Sequence, residues 1–197
     1  MRTAYITHPE CRGHDTGPGH PENASRLFAI EDRFVEGGLD NVLRYIDAPK
    51  ATQEQLLRVH PQDYLDAIAN AIPDSGYARL DPDTVVSSNS LGAAYRAAGA
   101  VIHAVDLVMK GDIESAFCGV RPPGHHAEST RSMGFCIFDN IAVGAAHAWE
   151  QYGLKKVAIV DFDVHHGNGT EEIFQDEDRI LFCSTFQHPF YPFTELR

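Results

Sequence analysis

Val157-Ala158-Ile159-Val160-Asp161-Phe162-Asp163-Val164-His165-His166-Gly167-Asn168-Gly169 is the stretch on which the fold turns. Its first four residues are apolar, and such a run predicts a strand buried on both faces, as in a parallel sheet covered by helices. Two carboxylates follow at once. An unpaired carboxylate is costly to bury, so a cationic group belongs beside them. On extended backbone, alternate residues share a face, which puts Asp161, Asp163 and His165 on one side and Phe162, Val164 and His166 on the other. An oxygen and a nitrogen donor on one face suit a divalent metal, zinc in particular, and the spare carboxylate can hold a histidine. A buried ion-pair network is the plain alternative, but it leaves four histidines beside two buried acids without a reason.

Outward from this stretch the chain alternates strands and helices. Ala4 to Thr7 reads as a strand and His8 to His20 as a long polar loop, followed by a helix opened by Pro21 and stopped at Gly37-Gly38, with Leu27, Ile30, Phe34 and Val35 on one face. Leu43 to Ile46 is a second strand. Thr52 and Gln55 fit a capping box, Pro61 starts a helix through Tyr64, Leu65 and Ile68, and Asp74 to Asn89 is irregular. Ser90 to Met109 predicts a largely buried helix, Ala116 to Val120 a strand, Asn140 to Gln151 a helix ended by Gly153, and Ile180 to Ser184 a last strand. The expected architecture is α/β, a three-layer parallel sheet with helices on both faces, in one domain spanning 1–197. Ligands of such sheets sit beyond the carboxyl ends of the strands.

The balance of 16 basic against 28 acidic residues gives a net charge of -12. That argues against direct binding of nucleic acid or an anionic membrane surface and leaves room for a cationic substrate, although acidity also simply keeps proteins dispersed. The four cysteines lack CxxC spacing, so reduced thiols in a cytoplasmic setting are expected. No signal region and no continuous apolar run of bilayer-spanning length is evident.

The second polar cluster is Arg121-Pro122-Pro123-Gly124-His125-His126, directly after the Ala116 strand. Two adjacent imidazoles are rarely a packing solution, although a pair by itself is often a surface accident. Both clusters fall at strand carboxyl ends, where a turn can aim them into one crevice.

With HPENASR at 20–26, RPPGHHAE at 121–128, GFCIFDNIAVGAAHA at 134–148 and DFDVHHGNG at 161–169, the sequence resembles the histone deacetylase family. The likeness is to its class II and bacterial deacetylase-like amidohydrolase branch, with acetoin-utilisation and acetylpolyamine amidohydrolase relatives. The resemblance implies Asp163 and His165 as zinc ligands, His125 and His126 as tandem catalytic histidines, Asp161 hydrogen-bonded to His125, and Asn168 orienting His126. It further implies Phe135 as one wall of a narrow tunnel, the Gly134 carbonyl facing substrate, Asp83 on the rim accepting a substrate N–H, and Arg26 near an inner channel. A structural potassium ion would use Asp161, the carbonyls of Asp163 and His165, Ser184 and the carbonyl of Thr185. The implied substrate is an acetylated lysine side chain or an acetylated polyamine.

The same resemblance places a third zinc ligand, an Asp, and an oxyanion-stabilising Tyr beyond the last residue of this sequence. The chain is therefore expected to be the N-terminal part of the domain, completed by further sequence, by a second copy or by a complementing chain. The rival expectations are an inactive metal-binding interaction module and a dimanganese ureohydrolase. The second is disfavoured by the order Asp-x-Asp-x-His.

Overall fold

The computed structural model describes residues 2–193. In chain order it holds β1 (Thr3–Thr7), α1 (Pro9–Arg12), α2 (Ser25–Glu36), β2 (Arg44–Asp47), α3 (Gln53–Leu56), α4 (Gln62–Ala71), β3 (Ala78–Arg79), β4 (Val85–Val86) and α5 (Ser90–Met109). Then follow β5 (Ser115–Cys118), α6 (Asn140–Tyr152), β6 (Val157–Asp161), α7 (Asn168–Phe174) and β7 (Ile180–Ser184). The architecture is α/β, as the alternation predicts. Two local expectations change. The loop after β1 contains the short helix α1, capped by the His8 imidazole, and the segment 74–89 contains the β3–β4 hairpin.

Local chemistry sets the helix ends. Thr52 accepts from the Gln55 N–H while the Gln55 side chain accepts from the Thr52 N–H, the reciprocal cap expected from the sequence. Asp139 caps α6 by accepting from the Ala142 N–H, and Gly153 ends it at φ 65. Helix α2 begins four residues after Pro21, and of its apolar stripe only Leu27 is fully buried.

The parallel strands form two sheets. In the first, β1 lies between β2 and β5, with Ile6 opposite Ile46 and Cys118. Ala4, Tyr5 and Ile6 are fully buried. Ala4 and Ile6 pack with Ala100 and Leu107 of α5, and Tyr5 meets Phe34, Tyr45 and Phe117 on the other face. Helix α5 is long and apolar enough to cross a bilayer by composition, contrary to the expectation of no such segment. Here its small residues let it settle into the core: a Cβ on Gly99 would stand 2.0 Å from the Pro49 carbonyl oxygen.

In the second sheet, β6 pairs with β7 from Val157↔Ile180 to Asp161↔Ser184. Val157, Ile159, Ile180 and Phe182 pack on Ala142 and Ala145 of α6 and Phe174 of α7. The opposite face carries Ala158, Val160, Leu181 and Cys183, all exposed, with Val160 at 66%. The expectation that this run is buried on both faces is thus corrected. Both neighbouring helices sit on the Ile159 side, so only one face is covered.

Candidate metal centre

The polar clusters meet at the carboxyl ends of β5 and β6. Strand β6 stops at Asp161, so Phe162 to Gly167 is a loop rather than the extended chain expected, and Phe162 is 86% exposed. Turning replaces strict alternation. Asp163 Oδ1 accepts the His165 N–H at 2.8 Å and stands 3.0 Å from His165 Nδ1. Asp161 faces elsewhere: its Oδ2 is 2.8 Å from His125 Nδ1, and its Oδ1 accepts the Asp163 N–H at 3.1 Å. A Cβ on Gly167 would lie 2.2 Å from Asp161 Oδ2, so this approach requires glycine.

Asp163 and His165 fit a metal as a pair. Zinc–ligand bonds of roughly 2.0–2.2 Å put neighbouring tetrahedral donors about 3.3 Å apart, close to the 3.0 Å seen between Oδ1 and Nδ1. Among the described residues no group of three or more His, Cys, Asp or Glu side chains is placed to hold an ion. The donor chemistry fits zinc, and two protein donors are present where a catalytic site commonly has three. For the second ion, the buried Ser184 hydroxyl has no hydrogen-bond partner in the structure and stands opposite Asp161 in the register. An unmet buried oxygen is what a bound monovalent cation would satisfy.

The two histidines differ. Their rings lie 4.0 Å apart, tilted by 41°. Burial works against a charge on His125, but the Asp161 hydrogen bond and the charges of Asp161, Asp163 and Asp139 outweigh it and raise its pKa. Asp161 is lowered in turn: burial opposes its charge, but the hydrogen bond and charge of His125, the Asp163 N–H and the charge of His126 together outweigh it. For His126, burial and the neighbouring His125 push the pKa down to about 4, against a small upward pull from Asn168. The tautomer follows from the network. Asn168 Nδ2 donates to Glu128 Oε1 at 3.0 Å, so its Oδ1 faces His126 and accepts Nδ1–H at 2.8 Å. That leaves the Nε2 lone pair of a neutral imidazole unused.

Beside His126 lies a tight turn with aromatic neighbours. Gly134 and Phe135 have φ of +57° and +70°, and a Cβ on Gly134 would stand 2.3 Å from the His126 ring. The turn is pinned by Asp83 Oδ1, which accepts the Gly134 N–H, and by Thr84 Oγ1, which accepts the Phe135 N–H. One oxygen of Asp83 is therefore engaged inside the protein, and burial together with Asp81 raises the Asp83 pKa. His20 packs edge-on against Phe135 at 4.9 Å. Arg26 donates to the Val120 carbonyl at 2.7 Å, which sets its guanidinium at the carboxyl end of β5.

Several residues here escaped sequence reading. Phe190 stacks on His165 at 5.1 Å, and Tyr191 stands edge-on to His126 at 5.0 Å and to His165 at 5.9 Å. Two adjacent aromatics between prolines were the available signal. Glu128 was inside a quoted motif without a role. Arg121 is fully buried and forms a two-pronged ion pair with Glu22, holding the HPENASR segment against the tandem-histidine loop.

Comparisons with known proteins identify the family and the fold. The family model described as "Histone deacetylase domain" matches residues 20–197. A "Probable deacetylase" of Archaeoglobus fulgidus is 37% identical over 98% of this chain and 54% of its own length. A "Histone deacetylase-like amidohydrolase" of Pseudomonas aeruginosa is 36% identical over 97% of this chain and 54% of its own. The solved structure titled "Crystal Structure of HDA15 HD domain" superposes with a TM-score of 0.92 at 36% identity, covering 98% of this chain and 57% of that one. The chain thus spans little more than half the length of these relatives.

Proposed function

The chain belongs to the histone deacetylase family, and on that premise we propose that it carries the site of a zinc-dependent amidohydrolase, hydrolysing the acetamide of acetyl-lysine or of a small acetylated amine. The carrying observation is the division of labour between the two histidines. His126 is neutral, with Nδ1–H tied to Asn168 and Nε2 free, while His125 is biased toward its cation by Asp161. A base needs an open lone pair at working pH, and His126 has one.

In this reading Asp163 and His165 hold zinc, which when bound polarises the acyl carbonyl and acidifies water. His126 Nε2 takes the proton of the attacking water and passes it to the departing amine. His125, whose cation Asp161 favours, would stabilise the negative charge that develops on the acyl group. Phe135, with Tyr191 added, would wall a tunnel for an alkyl stem, with the Gly134 carbonyl and the second oxygen of Asp83 offered to polar groups at its mouth. Asp161, Ser184 and the carbonyls of Asp163, His165 and Thr185 would hold a structural potassium ion, which would satisfy the unpaired Ser184 hydroxyl. The acidic chain suits a cationic flank on the substrate.

A second reading, a metal-binding module without turnover, draws on one observation: only two metal donors stand together among the described residues. The test is hydrolysis of a fluorogenic acetyl-lysine amide and of an acetylated polyamine by the zinc-supplemented protein, beside His126→Ala. Turnover that collapses in the variant supports the amidohydrolase. Stoichiometric zinc with no turnover in either protein assigns the chain to the binding module.

A further inference from the structure

Asp139 lies outside the metal centre and has no role in the mechanism above, yet it is fully buried, and besides capping α6 it makes two polar contacts that lead back to the tandem histidines. Its Oδ1 accepts the Ala142 N–H at 3.0 Å and its Oδ2 accepts the Thr170 hydroxyl at 2.7 Å. Thr170 is itself fully buried, and its backbone N–H, with that of Gly169, donates to the His125 carbonyl at 3.2 and 2.9 Å. Two residues before Thr170, Asn168 holds the His126 ring. The backbone of Asp139 serves the other end of the same loop. Its N–H donates to His60 Nε2 at 3.0 Å, and His60 Nδ1 donates to the Ser129 carbonyl at 3.0 Å. The loop from His125 to Ser129 is therefore clamped at both ends through one residue.

We propose that Asp139 is a positioning residue for the tandem histidines: through Thr170 it locks the first turn of α7 onto the His125 carbonyl, and through His60 it fixes the Ser129 end of the same loop. The residue type matters. A carboxylate accepts at both oxygens, whereas an asparagine in its place offers one acceptor and turns an N–H toward the other donor. A helix cap alone would need only the Ala142 contact. Displacements well under an ångström at proton-handling groups reduce turnover without changing ground-state binding.

The inference rests on His125 and His126 as the proton-handling pair, so parent and His126→Ala are assayed first. Thr170→Val keeps shape and leaves the α6 cap untouched. It is expected to lower kcat about tenfold with KM changed by less than about twofold, and Asp139→Asn to behave alike. Thr170→Ser restores most of the turnover. The imidazole 15N signals of His125 and His126 move in Thr170→Val and Asp139→Asn but not in Thr170→Ser, while those of His8 and His103 stay fixed. If the parent does not turn over, the amidohydrolase reading fails and these signals alone judge the clamp. Unmoved signals, a kcat for Thr170→Val within about twofold of the parent, or equal losses in Val and Ser variants overturn it.

Discussion

Strands β1 and β6 have similar sequences and different surroundings. Ala4-Tyr5-Ile6 and Val157-Ala158-Ile159-Val160 are both short apolar runs in parallel pairs. All three β1 residues are fully buried, between α5 on one face and the aromatics around Phe34 and Phe117 on the other, whereas Val160 is 66% exposed on a face that also carries Leu181. The first sheet is a closed core and the second a one-sided platform. The proposed site sits at the seam, with His125 and His126 after β5 and Asp161, Asp163 and His165 after β6. Burial is concentrated on one side, and the proposed metal donors stand on the other.

The sharpest separation of the two regions comes from the seam itself. His126→Ala is expected to reduce kcat on an acetyl-lysine amide by roughly 10²- to 10⁴-fold, with a thermal unfolding midpoint close to that of the parent. A loss of stability in parallel with activity would show that the site and the core are one unit. Within the closed sheet, Ile6→Ala is expected to cost about 2–5 kcal/mol in chemical denaturation, because it empties a volume that neighbours cannot fill. A cost below about 1 kcal/mol would remove the contrast with β6.

A third test uses pH. His60 is buried with both ring nitrogens engaged, and burial pushes its pKa to about 4, as it does that of His14. The unfolded chain binds protons near pH 6.5, so the stability these groups contribute is present above that pH and is lost as pH falls toward 4, on the order of 3 kcal/mol for His60. Asp139 works in the opposite sense, since burial raises its pKa to about 7 and its ionisation costs the folded state as pH rises from about 4. Denaturation from pH 7.5 down to 4.5 should therefore show a net acid loss, shallower in His60→Gln and steeper in Asp139→Asn. The smallest effect belongs to the bare face: Val160→Thr should change stability by less than about 0.5 kcal/mol. A cost several times larger would mean that this face is covered in solution.

Much of this was legible in advance, for identifiable reasons. The α3 capping box, the extent of α5 and the Gly153 stop were written in local sequence, because caps and helical periodicity act within a few residues. The two polar clusters could be assigned to strand ends because apolar runs precede them. The covering of β6 was not legible, since Val157 to Val160 is equally compatible with one covered face or two. Neither were Tyr191 beside His126 or Asp139 behind the loop, whose partners lie tens of residues away.

The sequence by itself determined the α/β alternation, the family resemblance and the residue types of a metal centre, because these depend on local periodicity and on which side chains are present. Only the tertiary structure decided that the chain turns after Asp161 instead of running on extended, that His126 is the neutral imidazole with an open nitrogen, and that one face of β6 is bare. Those outcomes depend on burial and on hydrogen bonds between distant segments, and a chain acquires both only when it folds.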